Sequence, residues 1–512
     1  MLDLLLSHPY LTLTALLLLP LLYLYLAIHL RNTAIARLGA RAPPVRAYLP
    51  LGIDVFIRSL RNSRADTDYD FWDWLFSHAP NPHSKTVETT LASQRFLFTA
   101  DPENIKAILA TQFADYGKGE PFHEDWKYFL GDSIFTTDGE MWHRSRHLLR
   151  PQFVKTRVSD LEIFECHVQQ LMALIPGQGG EVDISKLFYR FTLDSATDYL
   201  LGKSVDSLGN PNAEFAKAFE KVQRVQNEIA RSGPFQKLLP KGGFFAGLKV
   251  INSFVEPFID QALRLNLADL KEKTNQSFLH ALAATTRDRK MIRDQVVAVL
   301  LAGRDTTAGA LSFTFLELSR NPAIVRKLRR EILERVGPIE RPTYDDLKNM
   351  PYLQHVMNET LRLYPSVPFN VRMSLHDTTL PTGGGPDGTQ PIGVLKDTPI
   401  GYTPLYMQRR EDLFPPTSDD FPHVLSYCPE RWDKWTPKAW TYIPFNGGPR
   451  ICIGQQFALT EMSYTIVRIL QRFDRIDKYW DEKMLRLKAE IVISPAPGVR
   501  VGFYEAQSGF LL

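Results

Sequence analysis

The pattern of apolar and polar positions predicts a chain built mostly of helices. Apolar residues lie on nearly every side of the segment Asp294 to Leu318, which is typical of a long helix buried inside a protein. Helical spacing also covers most of Asp160 to Ile229, with breaks at Pro176-Gly177 and at Gly209 to Pro211. Further helical segments are Pro322 to Val336, Tyr344 to Leu363 and Gln455 to Phe473. We therefore expect a helix-dominated body.

Two stretches show the alternation that is typical of β-strands. Thr86 to Thr99 is rich in Thr, Val and Phe and alternates, which predicts a hairpin at the edge of a small sheet. Arg372 to Thr403 is a second β-rich stretch, with Gly383 to Gly388 as its turn. No helix follows this glycine run, so it is not a phosphate-binding loop. The predicted fold class is mainly α with a smaller β subdomain.

Near its start, the chain has a long apolar segment without charged residues. Residues Leu11 to Ile28 carry no charge and include ten Leu, enough to span or nearly span a bilayer of ~30 Å. A cleaved signal peptide is the alternative, but four arginines between positions 31 and 46 follow directly and favour an uncleaved anchor. We expect a membrane anchor at residues 1–30, a basic, Pro-rich hinge at 31–50 and a cytosolic body at 51–512. The apolar, basic stretch Ser232 to Phe245 either dips into the membrane or packs as a turn.

Charge and cysteine content exclude some classes of protein. The 60 basic and 57 acidic residues leave a net charge of +3 without a basic run, which argues against nucleic-acid binding. At 512 residues with 44% hydrophobic content, the chain can bury a large core. The three cysteines, Cys166, Cys428 and Cys452, fit a reducing compartment without a disulfide framework.

One of these cysteines lies in a loop with the composition of a cofactor site. Thiolate is the axial ligand that pushes electron density onto haem iron and favours O–O cleavage. A helix start just after Cys452 would favour the ionised sulfur, and the glycines would let the backbone lie close to a flat macrocycle. A buried structural cysteine is the alternative, but it leaves the glycines, Phe445 and Arg450 unexplained. The candidate cofactor-binding residues of the loop are Phe445, Gly447, Gly448, Arg450, Cys452 and Gly454.

A second candidate site lies in the middle of the predicted buried helix. Asp305 would be a charge in apolar surroundings, and burial of an unpaired carboxylate is costly. As catalytic residues, Thr306 would donate a hydrogen bond to the reacting oxygen while Asp305 feeds protons from solvent. The structural alternative has Thr306 bonding back to the Ala302 carbonyl and Asp305 paired with an arginine.

These two motifs resemble the haem-binding loop and the oxygen-activation motif of the cytochrome P450 family. The family spacing (Phe, two residues, Gly, one, Arg, one, Cys, one, Gly) is met at every position. The resemblance covers residues 45 to 505 and is closest to the fungal, membrane-bound subgroup that hydroxylates n-alkanes and fatty acids. The stretches that carry it are Leu148 to Phe153, Leu380 to Gly388 and Gly454 to Glu461. It implies the cytochrome P450 fold with one N-terminal transmembrane helix.

The resemblance also implies haem b (iron protoporphyrin IX) and residues that serve it. Cationic partners are needed for the two haem propionates. The residues implied for haem binding outside and inside the loop are Trp142, Arg146, Arg372 and Arg450. A buried ionic triad that locks the fold on the thiolate side is implied for Glu359, Arg362 and Arg431. The alternative for the triad is a pair of solvated helix charges.

The activity implied is that of a monooxygenase, which inserts one atom of O2 into a C–H bond. Electrons would come from NADPH through a separate NADPH–cytochrome P450 reductase, with cytochrome b5 as an optional second donor. The protein would sit in the endoplasmic reticulum membrane as a single-pass protein with a cytosolic catalytic domain. Basic residues that could form the reductase docking face are Arg144, Arg150, Lys155 and Arg157, although solvated helix charge is the default.

The substrate pocket is placed by family position and is nearly free of charge. It predicts a long apolar chain, such as a fatty acid or n-alkane, hydroxylated at its terminal carbon. Its candidate residues are Phe122, Phe135, Val299, Val367 and Phe369. A hydroxylase that tailors a fungal polyketide or terpenoid in secondary metabolism is the rival. A haem-thiolate isomerase or dehydratase, or a non-catalytic haem protein, is more distant, because neither needs the Asp305–Thr306 proton relay.

Overall fold

Helices make up most of the chain, for which the computed structural model describes residues 9–91, 94–266, 270, 277–419 and 421–506. The helices of the first half are α1 (Pro9–Leu38), α2 (Ile53–Arg64), α3 (Asp68–Phe76), α4 (Pro102–Lys106), α5 (Gly119–Leu130), α6 (Gly139–Leu149), α7 (Lys155–Val158), α8 (Glu162–Ala173), α9 (Ile184–Leu201) and α10 (Glu214–Ser232). Those of the second half are α11 (Gly242–Arg264), α12 (Phe278–Thr285), α13 (Arg289–Arg320), α14 (Pro322–Arg335), α15 (Tyr344–Lys348), α16 (Pro351–Leu363), α17 (Pro404–Met407), α18 (Arg431–Lys434) and α19 (Gln455–Arg472). The mainly helical architecture that the sequence predicts is confirmed.

The strands form one larger sheet and three small ones. They are β1 (Thr86–Leu91), β2 (Gln94–Thr99), β3 (Tyr116–Gly117), β4 (Glu181–Asp183), β5 (Asn370–Ser374), β6 (Thr378–Gly384), β7 (Gln390–Val394), β8 (Pro399–Tyr402), β9 (Phe473–Lys478), β10 (Leu487–Ala489), β11 (Ile493–Pro495) and β12 (Arg500–Glu505). The five-stranded sheet has the order β1-β2-β8-β5-β3, with β2 and β8 parallel. The predicted hairpin is confirmed, because Thr86 pairs with Thr99 and Leu91 with Gln94.

Helix α13 runs through the middle of the body and positions the candidate site. Its N-terminus is capped by Asp288, whose side chain accepts a hydrogen bond from the Met291 amide. Nearly every side chain from Ile292 to Ser319 is buried, against α9, α11, α16 and α19. Among the described residues, α13 is the one helix whose length and apolar composition would allow it to cross a membrane. Its side chains, however, form the protein's own core. The predicted buried helix is therefore confirmed.

Two helical boundaries differ from the prediction. The segment Tyr344 to Leu363 is two helices, because Pro351 takes the first position of α16, where a missing N–H costs nothing. The stretch Ser232 to Phe245 holds the end of α10 at Ser232, a 3-10 helix at Gly233–Leu238 and the first turn of α11, which begins at Gly242. Phe245 lies on α11 with its ring edge-on to Tyr128, at 5.5 Å between centroids. Membrane contact by this stretch stays a prediction.

Helix α1 continues beyond the predicted anchor and ends in the fold. Its residues 21–30 are exposed, whereas Ile35 is fully buried. The Ala40 amide donates to the Pro391 carbonyl at 2.8 Å, and the Val45 amide donates to the Glu88 carbonyl at 2.8 Å. Part of the predicted hinge is thus tied to β7 and β1 by backbone hydrogen bonds. The membrane span itself stays a prediction.

Candidate functional site

The loop that carries Cys452 is closed by its own backbone. The Cys452 amide donates to the Phe445 carbonyl at 2.9 Å, and the Ile451 amide donates to the Gly448 carbonyl at 3.1 Å. Helix α19 starts at Gln455, three residues after the cysteine. The Phe445 ring packs against the main apolar core. The loop therefore holds one sulfur at a fixed point beside a helix N-terminus.

Two of the loop's glycines are required by protein neighbours. Gly448 has a φ of +65°, and a Cβ there would lie 1.9 Å from the Leu109 carbonyl oxygen. A Cβ on Gly447 would lie 2.5 Å from the Trp440 ring, whereas one on Gly454 would make only an ordinary contact. The sequence analysis assigned the loop's glycines to close contact with a macrocycle. For Gly447 and Gly448, the close contact is instead with protein neighbours on which the loop packs.

Cys452 opens into a cleft of about 550 Å³ between the loop and α6. Part of the residue is exposed through the cleft, yet its depth in the protein raises the pKa of the thiol. The Gly454 amide and the Arg146 charge act in the opposite direction. The sequence predicted that the helix start favours the ionised sulfur; the amide does so, but burial outweighs it.

Three cations face one another on the other side of the loop. Burial, and then the charge of Arg372, lower the pKa of Arg450 to about 10. Burial, followed by the charges of Arg372 and Arg450, lowers the pKa of Lys118 well below its usual value. The carboxylate that faces them is Asp138, which lies 2.5 Å from Arg450 Nη2 and accepts the Lys118 amide at 2.9 Å. This cluster, the cation cluster below, holds more positive than negative charge.

The cation cluster fits a dianionic group. The Nε of Arg450 is buried without a hydrogen-bond partner, and Arg372 donates to the carbonyl of Val371 rather than to a carboxylate. Two carboxylates brought by a ligand would satisfy these donors and balance the charge. Sequence reasoning missed Lys118, because only the pairing of Gly117 with Met373 brings it beside Arg372. No spacing along the chain signals that contact.

Trp142 and Arg146 lie between the cation cluster and the cysteine. The Trp142 ring centre is 4.6 Å from the guanidinium of Arg450 and 5.8 Å from that of Arg146. Arg146 donates to the Ile451 carbonyl at 3.1 Å. Arg146 therefore contacts the cysteine loop, whereas Arg450 and Arg372 belong to the cluster.

Asp305 and Thr306 are occupied by protein partners. Asp305 Oδ2 accepts a hydrogen bond from Gln223 Nε2 at 2.5 Å, and Arg304 Nη1 lies 3.1 Å from Oδ1. Burial raises the pKa of this carboxyl. Thr306 Oγ1 donates to the Ala302 carbonyl at 2.6 Å. These are the contacts of the structural alternative, and Gln223 is a partner that the sequence did not reveal.

Glu359, Arg362 and Arg431 come together in the interior. Two nitrogens of Arg362 each lie 2.8 Å from a Glu359 oxygen, and Arg431 Nε lies 3.5 Å from the same carboxylate. All three residues are fully buried. Glu359 also accepts from Trp432 Nε1 at 3.0 Å and from the Cys428 amide at 3.0 Å. The alternative of solvated helix charges is therefore wrong.

The predicted pocket residues lie on two apolar clusters. Phe122 stacks on Trp126 at 5.4 Å and packs with Val299 against the cluster around α5 and α13. Phe369 packs on the sheet side, 6.0 Å from the Trp72 ring. Val367 is half-buried, and Phe135 is 37% exposed.

The surroundings of these pocket residues are less neutral than the sequence predicted. Lys118 Nζ lies 4.2 Å from the centre of the Phe122 ring, and the Arg231 guanidinium lies 5.5 Å from that of Phe369. Arg231 is paired with Asp68 at 2.8 Å. Arg231 comes from a segment remote in sequence from Phe369, whereas Lys118 lies only four residues before Phe122, and the set chosen by family position includes neither.

Comparison with known proteins gives concordant matches. The family model described as "Cytochrome P450" matches residues 75–499. The chain is 49% identical over 495 residues to cytochrome P450 monooxygenase pvhE of Talaromyces variabilis, covering 92% of this chain and 91% of that protein. It is 41% identical over 458 residues to cytochrome P450 52A1 of Candida tropicalis, covering 85% and 83%. The cytochrome P450DA heme domain shares the fold, with a TM-score of 0.75 at 20% identity over 92% of this chain and 99% of that one.

Proposed function

Because the chain belongs to the cytochrome P450 family, we propose that it inserts one oxygen atom from O2 into the terminal C–H bond of a long-chain fatty acid or n-alkane. Family membership makes it a haem-binding monooxygenase, an oxidoreductase, with a mainly helical fold and a small β region. The choice of substrate is the proposal. It rests on the subgroup that the sequence resembles and on the apolar surroundings of Thr306.

The observation that carries the proposal is an apolar approach to Thr306 from two elements. Val299 lies seven residues before Thr306 on α13, and therefore on the same helix face. The Ser366 hydroxyl donates to the Thr306 carbonyl at 3.0 Å, which fixes the segment carrying Val367 and Phe369 against this part of α13. An alkyl chain gains about 0.8 kcal/mol for each methylene it buries on such surfaces. Bulky Val367 and Phe369 would hold inner carbons away from the reacting position.

The chain's own residues divide the work of holding the haem. Cys452 would supply the thiolate ligand, and the cation cluster of Lys118, Arg372 and Arg450 would bind the two propionates. Arg146 and Trp142 would brace the cysteine loop from α6. Haem held by a thiolate supplies the activation of O2. Every other step depends on how these side chains orient the group and exclude water.

Asp305 and Thr306 would supply protons from α13. Burial raises the pKa of Asp305, so its carboxyl keeps a proton to higher pH than an exposed aspartate does. Thr306 would turn its hydroxyl from the Ala302 carbonyl towards the substrate side and give up its own proton there while it takes one from Asp305. Asp305 would then regain a proton from solvent. Gln223 and Arg304 would position the carboxyl between these states.

Electrons would come from a separate NADPH–cytochrome P450 reductase at the endoplasmic reticulum membrane, with α1 as the anchor. Arg144 on α6 and Arg150 directly after it are both exposed, and Arg150 lines the cleft next to the cysteine loop. A basic surface beside this cleft suits an acidic electron donor. Lys155 is a weaker candidate, because it lies 3.6 Å from Asp345.

A tailoring hydroxylase for a polyketide or terpenoid is the second candidate. The observation that favours it is the charge of Arg231 beside Phe369, since Lys118 belongs to the cation cluster assigned to the propionates. Polar groups of an oxygenated substrate would find hydrogen-bond donors there, which a plain alkyl chain would not use.

Product analysis from microsomes with added reductase tests both candidates. Wild-type enzyme should hydroxylate the end of long-chain acids or alkanes, and Phe369→Ala should move oxidation to inner carbons while haem content stays unchanged. Phe98→Ala is the matched control, since Phe98 packs on the same Trp72 at 5.7 Å but lies on β2. Turnover of a ringed terpenoid or polyketide, with long-chain substrates ignored, would contradict the proposal and support the second candidate.

A further inference from the structure

Three arginines and one glutamate meet where the end of α1 joins the sheets. Arg41 Nε lies 2.7 Å from one carboxyl oxygen of Glu88, and Arg95 Nε lies 2.8 Å from the other. Burial lowers the pKa of Arg95, Glu88 raises it, and the charges of Arg41 and Arg31 lower it further. This group, the arginine cluster, connects α1 and the chain after it to the β1–β2 hairpin.

The arginine cluster carries more positive than negative charge. Among the described residues, buried Glu88 is the one carboxylate within ion-pair distance of Arg41 or Arg95. Arg95 is also buried and donates to the Gly393 carbonyl at 2.7 Å, so its guanidinium is held inside the fold. The Arg41 side chain, by contrast, is 41% exposed. Because one carboxylate is shared between two arginines, Arg41 keeps charge and N–H groups that an external anion can use.

With α1 as the anchor, the arginine cluster lies at the level of the lipid headgroups. The apolar stretch of α1 ends at Ile28, and Arg31 follows about 4.5 Å further along the helix axis. The headgroup layer on each side of the hydrocarbon is about 5 to 7 Å thick. Arg41 returns to the same level, because its Nη1 donates to Asn32 Oδ1 at 2.7 Å. Arg31 precedes fully buried Ile35 by four residues and so lies on the face of α1 that turns towards the sheets.

We infer that the arginine cluster binds the phosphate group of an anionic phospholipid at the cytosolic face of the membrane. Arg31 and Arg41 contact the phosphate, and Glu88, itself held by Arg95, fixes the position of Arg41. Arginine donates pairs of N–H groups to phosphate oxygens, and anionic lipids attract basic side chains that lie beside a membrane helix. This site depends on α1 as the proposed anchor and not on which substrate is oxidised.

Spin-labelled lipids in phosphatidylcholine vesicles that contain the full-length holoenzyme test the site. Spin-labelled phosphatidic acid should associate with the wild-type protein more strongly than spin-labelled phosphatidylcholine does. Arg41→Gln should lower this preference about fivefold, the usual contribution of one arginine at a lipid surface. Arg37→Gln is the matched control, because Arg37 is an exposed arginine of α1 that lies about 120° around the helix from Arg31. Equal losses in both variants would assign the preference to general surface charge and overturn the site.

Two further variants separate lipid binding from damage to the fold. Glu88→Gln removes the compensating charge and should raise the preference for phosphatidic acid, a change that a damaged fold would not produce. Arg31→Gln leaves the ion pairs of Glu88 in place, should lower the preference as Arg41→Gln does, and carries the test if Arg41→Gln does not fold. An unchanged preference in Arg31→Gln, or a lowered one in Glu88→Gln, would overturn the site.

Free phosphate and the anchor itself are tested separately. Glycerol phosphate in solution should not displace the spin-labelled phosphatidic acid, because it lacks the acyl chains that hold a lipid at this depth. Displacement would show a site for soluble phosphate and overturn the lipid site. Flotation with phosphatidylcholine vesicles tests α1. Protein that floats without a preference for phosphatidic acid would overturn the lipid site alone, whereas protein that does not float would overturn the anchor and the lipid site with it.

Discussion

Thr306 and Thr314 make the same local hydrogen bond on α13. Thr306 donates to the carbonyl of Ala302 at 2.6 Å and Thr314 to that of Ala310 at 2.9 Å, as helical threonines commonly do. What distinguishes Thr306 is its neighbour Asp305, a buried carboxyl with a raised pKa. In the proposed proton relay, the contact seen for Thr306 would be its resting position, and its role would depend on the acid beside it.

Thr306→Ala should retain haem and substrate binding yet divert electrons to peroxide. Loss of a positioned proton donor costs about 10²- to 10⁴-fold in general acid–base catalysis. The measurement is the ratio of product to NADPH consumed. Thr314→Ala is the matched control and should keep the wild-type ratio. Equal uncoupling in both variants would assign the effect to helix packing.

Glu461 should make the protein less stable at alkaline pH. Its pKa is raised from 4.5 to about 8 in the folded state, so the folded protein binds the extra proton. The stabilisation is complete below about pH 4.5 and is lost as pH rises through about 8. At 1.36 kcal/mol per pKa unit, the full change is on the order of 5 kcal/mol. Denaturant unfolding across this window should show a flatter profile for Glu461→Gln than for wild type, and an unchanged one for Glu334→Gln, at an exposed glutamate of α14. Identical slopes for wild type and Glu461→Gln would contradict the shift.

Residues that lie close together in sequence were predictable, and residues joined only by tertiary contacts were not. Cys452 and Arg450 stand out because the loop's chemistry is contiguous. Lys118 becomes part of the site only through the pairing of β3 with β5, and Gln223 only through the packing of α10 on α13. Both look like ordinary surface residues in the sequence.

At the scale of elements, Glu359 joins α16 to the segment before the cysteine loop. Its carboxylate accepts from Arg362 on its own helix and from Arg431, Trp432 and the Cys428 amide further along the chain. Arg431 in turn donates to the Pro422 carbonyl at 3.1 Å. One buried carboxylate thus fixes an otherwise irregular stretch. The i, i+3 spacing of Glu359 and Arg362 predicts this junction only weakly, because Glu317 and Arg320 share the spacing, and Arg431 was implied by the family resemblance alone.

Arg362→Leu should destabilise the protein by about 3 to 5 kcal/mol, because it leaves Glu359 a buried charge with fewer partners. Lys127→Leu is the control, since Lys127 has the same spacing from Glu124 but both of these side chains are exposed to solvent. It should have little effect on stability, because exposed ion pairs contribute little. Haem content and thermal unfolding measure both. Similar losses of stability in the two variants would contradict the prediction that the buried triad stabilises the fold more than a solvent-exposed ion pair does.

At the scale of the whole molecule, one core helix organises the body and the chain's start is fastened to its sheets. Apolar periodicity predicted α13 because it is long and uniformly buried. The sequence analysis placed the start of the cytosolic body at residue 51. In the structure, Ile35 is already buried, and Ala40 and Val45 already pair with β7 and β1. Backbone pairing of a Pro-rich segment leaves no periodic signal in side chains, so sequence reasoning took it for a linker.

Removal of residues 1–30 should leave a folded haem protein that no longer pellets with membranes. Removal of residues 1–45 should lower haem content and the unfolding temperature, because it strips Ile35 and the hydrogen bonds of Ala40 and Val45 from the sheets. The carbon monoxide band of the reduced protein and sedimentation with microsomes measure the two effects. Pelleting of the shorter deletion would show a second membrane contact, and equal stability of both would contradict the role of residues 35–45.

Because α1 continues directly into these contacts, it fixes the orientation of the body relative to the helix axis. The helix runs from Pro9 to Leu38, and its last turn is pinned beside β7 by Ile35 and the Ala40 pairing. A body joined in this way keeps its orientation relative to α1, because no flexible linker separates the two. With α1 across a bilayer, the cleft over Cys452 would keep a constant angle to the membrane surface. A reductase confined to the same surface would then meet its docking face by two-dimensional diffusion, without a search over orientations.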